Sequence, residues 1–230
     1  MSRSRSTVPP RGLEPSGIIL VDKPEGPSSF AVVNRIRART GTRMGHAGTL
    51  DPFATGLLLL LSGRATKVAG SFSGLDKRYL TDVDLTSRTS TGDREGEVVE
   101  RLEPPAPGEL EGRLAPLRGE IELPIPAASA VKIGGERAYR LHRRGIAVEM
   151  PLRRSQVHAL DAIEYAEGLV RLDLHVSSGT YVRAIAEALG GHCRTLRRTE
   201  VGPFHVEDAD EERIVSVDQA LGMLGFADHG

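Results

Sequence analysis

The chain has 230 residues, 39% of them hydrophobic and 27% charged, and a formal net charge of −1. That is enough apolar material for a sizeable core, in one large domain or two small ones. No stretch reaches the length of a membrane span, residues 1–10 lack the apolar centre of a secretory signal, and a single cysteine, Cys193, excludes an internal disulfide framework or a cysteine-based zinc site.

Residues 1–16 read as a disordered arm. Gly17-Ile18-Ile19-Leu20-Val21 is a short apolar strand, stopped by Lys23-Pro24-Glu25-Gly26-Pro27. Ser28 or Ser29 caps a helix that runs to about Arg39, with Val32, Val33 and Ile36 on one side. The five leucines at 57–61 form a buried strand or helix, and periodicity leaves both open. Strands are expected over 78–86 and 97–101, around a polar loop at 87–96. Leu110, Leu114 and Leu117 keep helical spacing. Val170, Leu172, Leu174 and Val176 alternate with polar residues in the clearest half-buried strand. A helix over 181–189 follows, closed by Gly190-Gly191. Near the end, Ser216 and Gln219 make a capping box for a short helix. The whole is mixed α and β, with no repeat and no interdomain linker.

The segment Gly45-His46-Ala47-Gly48-Thr49-Leu50-Asp51-Pro52 places one carboxylate in a glycine-broken loop before those leucines. Glycine admits close approach of a ligand, and Pro52 confines Asp51 to an extended or turn conformation. Asp51 fits either a turn-capping acid or a catalytic one. Arg183 falls in the first turn of its helix, where the dipole favours anions, so a buried carboxylate such as Asp51 or a phosphate would hold it there. Tyr79, beside Lys77-Arg78, fits a base-stacking residue or an ordinary strand tyrosine. His46 has no partners at metal-ligand spacing, so no metal is expected.

Only four of the 30 basic residues are lysines (Lys23, Lys67, Lys77 and Lys132); the rest are arginines. Arginine suits bidentate phosphate contacts, although a GC-rich genome produces the same bias. Basic residues concentrate at 137–154 and 194–198, a pattern for a phosphate-tracking face or for plain solvated surface.

Taken in order, the motifs resemble one family. They are Asp22-Lys23-Pro24-Glu25-Gly26-Pro27-Ser28-Ser29, the 45–56 segment with Asp51, Lys77-Arg78-Tyr79, and Ser129-Ala130-Val131-Lys132 with Gly135-Glu136-Arg137-Ala138-Tyr139. Ser178-Gly179-Thr180-Tyr181-Val182-Arg183, Leu196-Arg197-Arg198-Thr199 and Val201-Gly202-Pro203-Phe204 complete the set. The chain is similar to the bacterial tRNA pseudouridine-55 synthases, the TruB-type family, over about 17–204. The resemblance implies an α+β fold: a mixed, mainly antiparallel sheet flanked by helices, with an active-site cleft across it. It implies isomerisation of uridine to pseudouridine in the T-arm loop of tRNA, by flipping the base outward and without metal or organic cofactor.

By the same resemblance Asp51 is the nucleophilic carboxylate, Arg183 its ion-pair partner, and Tyr79 the residue that stacks on the base and takes part in proton transfer. His46 would fill the vacated loop, Tyr181 and Leu196 would line the nucleoside pocket, and Lys23 would contact substrate. Residues 17–230 are expected to form the catalytic domain, without the RNA-binding PUA domain that commonly follows, in a cytoplasmic monomer. Departures from the family pattern fall at Ser90, 123–128, Ser178 and the short segment 190–194. A non-catalytic RNA-binding protein or tRNA-folding chaperone, or a synthase for another RNA, is the competing reading.

Overall fold

The computed structural model describes residues 16–225. The arm expected at 1–16 lies outside the described residues apart from Ser16, and so does the tail at 226–230. Eleven of the described strands join one sheet. Its path runs through Asp210–Ser216, Gly17–Lys23, Thr55–Ser62, Arg197–Val201, Lys77–Asp84, Leu169–Val176, Leu152–Ala166 and Gly119–Pro124. Neighbours on this path are antiparallel, except that Arg197–Val201 runs parallel to Thr55–Ser62. The fold is thus a mixed, mainly antiparallel sheet with flanking helices.

The leucine run resolves as a strand, Thr55–Ser62, buried on both faces. Leu58 and Leu60 pack with Val32, Val33 and Ile36 of the helix Ser29–Thr40. Leu57, Leu59 and Leu61 face the other way, toward Phe72, Phe204 and Ala220. A strand covered on both sides has no polar face, which is why its sequence shows no alternation. Val170, Leu172 and Leu174 form a separate core with Val182, Ile185 and Leu189 of the helix Val182–Leu189. Ser28 caps the first helix by accepting from the Ala31 N–H at 3.1 Å, and Gly190 closes the Val182–Leu189 helix in the left-handed conformation. Leu110, Leu114 and Leu117 are all buried, but the α-helix covers only Leu110–Leu114 and tightens to a 3₁₀ turn at Ala115–Leu117, where Pro116 ends regular hydrogen bonding.

The strand Leu152–Ala166 has no clear signal in the sequence. It is 15 residues long, and its register against Leu169–Val176 shifts at two places. Each irregularity changes the phase of the side chains, so Ser155, Val157 and Leu160 point inward without a continuous period of two.

Gly56 sits where Thr55–Ser62 and Arg197–Val201 run closest. Its φ is +99°, and a Cβ there would lie 2.2 Å from the Arg198 carbonyl oxygen. Gly56→Ala combines a disfavoured backbone angle with a backbone clash, and should cost roughly 3 kcal/mol or more. Urea denaturation should show a lower midpoint; an unchanged midpoint would mean the two strands separate at no cost.

Candidate active site

The loop between Met44–Ala47 and Thr55–Ser62 carries Asp51, and it is clamped at several points. Ser29 Oγ donates to the Leu50 carbonyl at 2.9 Å and accepts from the Leu50 N–H at 2.8 Å. Gly26 N–H donates to the Pro52 carbonyl at 2.8 Å, and Thr55 N–H to the Leu196 carbonyl at 2.8 Å. The N-terminal end of the first helix and the strand register together hold the loop that the glycines and proline shape.

Arg183 comes to Asp51 from the helix Val182–Leu189. Its Nε lies 3.0 Å from Asp51 Oδ2, and Nη1 lies 3.4 Å from Asp93 Oδ2. Nη1 also donates to the Thr91 carbonyl at 2.6 Å and Nη2 to the Ala128 carbonyl at 3.0 Å. The guanidinium is 3% exposed and locked by four acceptors from three segments. Asp93 is itself fixed, accepting from Thr91 Oγ1 at 2.6 Å and the Glu95 N–H at 3.0 Å. Burial pushes the Asp51 carboxyl above its ordinary value, and Asp93 adds to this; Arg183 pulls the other way without fully offsetting it. The Asp51 side chain keeps 37% exposure, all that opens an otherwise enclosed pair to an incoming group.

That exposure is to a cavity of about 320 Å³, lined by Asp51, Tyr79, Tyr181, Arg183 and Leu196 among others. The size falls at the lower end of the roughly 300–1,000 Å³ range of small-molecule sites. Five residues singled out from the sequence therefore meet at one cavity. Tyr79 arrives from the strand Lys77–Asp84, Tyr181 immediately precedes the helix Val182–Leu189, and Leu196 precedes Arg197–Val201.

Two do not line it. Lys23, expected to contact substrate, is fully buried. Its ammonium donates to the Pro24 carbonyl at 2.8 Å and the Pro52 carbonyl at 3.2 Å, so it braces the Asp51 loop from below. Burial lowers its pKa, with Asp51 opposing that shift. His46 lies in the strand Met44–Ala47, half-buried, and burial and Arg198 both favour its neutral imidazole.

Three features at or behind the cavity carry no local signal in the sequence. Asp93 falls in the polar loop expected at 87–96, yet it is 5% exposed and shares Arg183. Arg198 was grouped with a surface basic run, yet it is 1% exposed and donates to the Leu57 and Gly48 carbonyls at 2.7 and 3.1 Å. Ser129 Oγ is buried in the wall with no hydrogen-bond partner among the described residues. Other members of the basic segments are in surface ion pairs: Arg197 with Asp22 at 2.7 Å and Arg144 with Glu136 at 2.8 Å. Cys193 offers no rival nucleophile, because burial pushes its thiol up to about 12.

Comparisons with known proteins identify the family. Residues 35–182 match the family model described as TruB family pseudouridylate synthase (N terminal domain). A protein of Mycobacterium sp. (strain KMS) named tRNA pseudouridine synthase B is 44% identical over 233 residues, covering 91% of this chain and 77% of the relative. A Nocardia farcinica (strain IFM 10152) protein of the same name is 42% identical, covering 94% and 78%. Among solved structures, a chain of a Cbf5–Nop10–Gar1 complex superposes with a TM-score of 0.64 at 28% identity, over 87% of this chain. A chain of an H/ACA RNP bound to a substrate RNA containing 2′-deoxyuridine superposes at 0.60 with 25% identity, also over 87%. This chain spans 52% and 51% of those two solved chains. With the family model covering more than half the sequence and relatives above 40% identity, the chain belongs to the TruB family of pseudouridylate synthases.

Proposed function

We propose that the chain isomerises uridine to pseudouridine in tRNA, at position 55 in the loop of the T-arm. The observation that carries this reading is the Asp51–Arg183 pair at the wall of a cavity with Tyr79 beside it, in a chain of this family. The reaction breaks the bond from uracil N1 to ribose C1′, turns the base and joins C5 to C1′. C5 gives up its proton and N1 gains one, so there is no net redox change.

Asp51 supplies the carboxylate that either adds to C1′ or promotes a glycal, and in both routes it meets the sugar electrophile as an anion. Arg183, itself fixed by Asp93 and two carbonyls, holds that anion in place. Tyr79 stacks on the base and takes part in the proton transfer. Tyr181 and Leu196 close around the nucleoside. Lys23 acts through the loop it braces. His46 enters the space left in the RNA loop when the nucleotide flips, which costs a few kcal/mol of unstacking. The sheet that backs the site runs from Gly17 to Ser216, which supports reading 17–230 as one catalytic unit; the further reading is that it works as a cytoplasmic monomer. Among the described residues no helix is long and apolar enough to cross a membrane.

Incubation with unmodified tRNA, followed by chemical mapping and primer extension, should place one new pseudouridine in the T-arm loop. A product confined to another arm would remove the positional assignment, and tight binding without product would favour a chaperone. The pH profile carries a second expectation. Because Asp51 must be ionised and its pKa is raised above 3.8, kcat/KM should climb through an apparent pKa higher than that of an ordinary aspartate. Asp93→Asn removes a neighbouring negative charge, so the acid limb should move to lower pH. A shift to higher pH would contradict the arrangement of charges described.

A further inference from the structure

Four cations line the cavity: Lys77, Arg153, Arg183 and Arg198. Arg183 is matched by Asp51 and Asp93, and Arg153 is exposed at the rim. Lys77 and Arg198 differ from both. They are 5% and 1% exposed, and among the described residues no carboxylate pairs with either. Their contacts are to carbonyls: Lys77 Nζ donates to Ser73 at 2.7 Å and to Leu75, while Arg198 Nε and Nη2 donate to Leu57 and Gly48. Carbonyls satisfy hydrogen bonds but bring no ion pair: Asp76 acts on Lys77 only at a distance, and burial with Arg198 outweighs it, so both cations sit in a region of low dielectric that an arriving anion would relieve. An ammonium has three donors and a guanidinium five, so each retains donors beyond these contacts.

The two side chains converge on Gly48. A Cβ built there would lie 3.4 Å from Arg198 Nη1 and 3.8 Å from Lys77 Cε, and Gly48 has a φ of +89°. The absent side chain leaves a gap between the cations, three residues before Asp51 and within the same cavity.

We infer that Lys77 and Arg198, across Gly48, form a phosphate subsite that takes one of the two RNA phosphodiesters flanking the flipped uridine. The inference rests on the proposed function, which makes an RNA strand the occupant of this cavity. A nucleoside held against Asp51 brings its own phosphates to this wall, so binding and catalysis share one anchor. Burial together with Arg198 lowers the Lys77 pKa to about 8, and a phosphate beside it would raise that value again.

The test uses full-length protein and T-arm stem-loops carrying a single neutral methylphosphonate 5′ or 3′ of the target uridine, with one at the stem terminus as control. Dissociation constants are measured for wild type and Lys77→Met, with thermal melts to establish that the variant folds. For wild type, one flanking methylphosphonate should weaken binding at least tenfold, as for loss of a charge-assisted contact. The same swap should weaken Lys77→Met markedly less than wild type, because one of the two cations that read the charge is gone and only Arg198 remains. The variant's salt dependence on unmodified RNA should also fall by about one in slope. Wild-type affinities within twofold for both flanking positions would overturn the subsite, as would an equal loss in the variant. If Lys77→Met fails to fold, the wild-type arm decides alone. Absence of pseudouridine from unmodified RNA would instead sink the enzymatic reading, which these binding constants do not depend on.

Discussion

Asp51→Asn should reduce kcat/KM for tRNA by about 10⁴-fold or more while leaving RNA affinity within a few-fold of wild type. The size of the loss follows from removing the only carboxylate that lines the cavity among the described residues, and reactions that lose their nucleophile commonly fall by four to six orders of magnitude. The amide keeps the shape and can still accept from Arg183, so binding has no reason to change. Stability provides an independent check on the same residue. Burial outweighs Arg183 and leaves the Asp51 carboxyl above its ordinary value. A group whose folded pKa is raised contributes least to stability once the pH exceeds that value, so at pH 7.5 the ionised side chain is a net cost. Arg183 keeps Asp93 and two carbonyls in the variant. Asp51→Asn should therefore melt at or above the wild-type temperature. A drop of several degrees would mean the ion pair stabilises the fold more than it strains it.

Arg183→Met should have the larger structural effect. It leaves Asp51 and Asp93 without the cation they share and strips hydrogen bonds from the Thr91 and Ala128 carbonyls. Breaking a buried ion pair by removing one partner typically costs about 3–5 kcal/mol. The cost should be largest at neutral pH and shrink on acidification. Without Arg183 the Asp51 carboxyl, already held above its ordinary value by burial, rises further, and its protonation then relieves the repulsion with Asp93. Activity should fall by roughly 10²–10⁴-fold, the range for losing a preorganised group beside the reacting centre. Arg183→Lys should recover little, because one ammonium cannot span acceptors from three segments as a planar guanidinium does. Denaturant titrations at pH 5.5 and pH 7.5 measure the difference. Equal destabilisation at both would show that packing, not charge, is what Arg183 supplies.

Local chemistry made Asp51 conspicuous because glycine and proline constrain a loop wherever they occur. It left open whether the acid capped a turn or reacted, and the ordered motifs rather than the loop itself favoured reaction. Asp93 was illegible for a physical reason. Its partner Arg183 is 90 residues away in sequence, and a local run of polar residues reads as solvated until something folds over it. Arg198 was hidden by its neighbours: alternate residues of a strand point to opposite faces, so Arg197 meets Asp22 at the surface while Arg198 turns inward. The strand Thr55–Ser62 could not be told from a helix because both its faces are covered. Leu152–Ala166 went unread because its irregularities break the period. Lys23 illustrates the opposite error. A lysine in a matching motif suggested contact with substrate, yet it is the carbonyls of Pro24 and Pro52 that hold its ammonium.

The central claim is that Asp51 drives uracil from an N1 to a C5 attachment. Joining C5 to the sugar must expel the hydrogen at C5, so release of tritium from a T-arm stem-loop labelled at uridine C5 reports the chemistry directly. Wild-type protein should release one tritium per target uridine, with pseudouridine appearing in equal amount, and Asp51→Asn should release none above background. Wild-type protein that binds the stem-loop and releases no tritium, or Asp51→Asn that releases it at the wild-type rate, would contradict the claim.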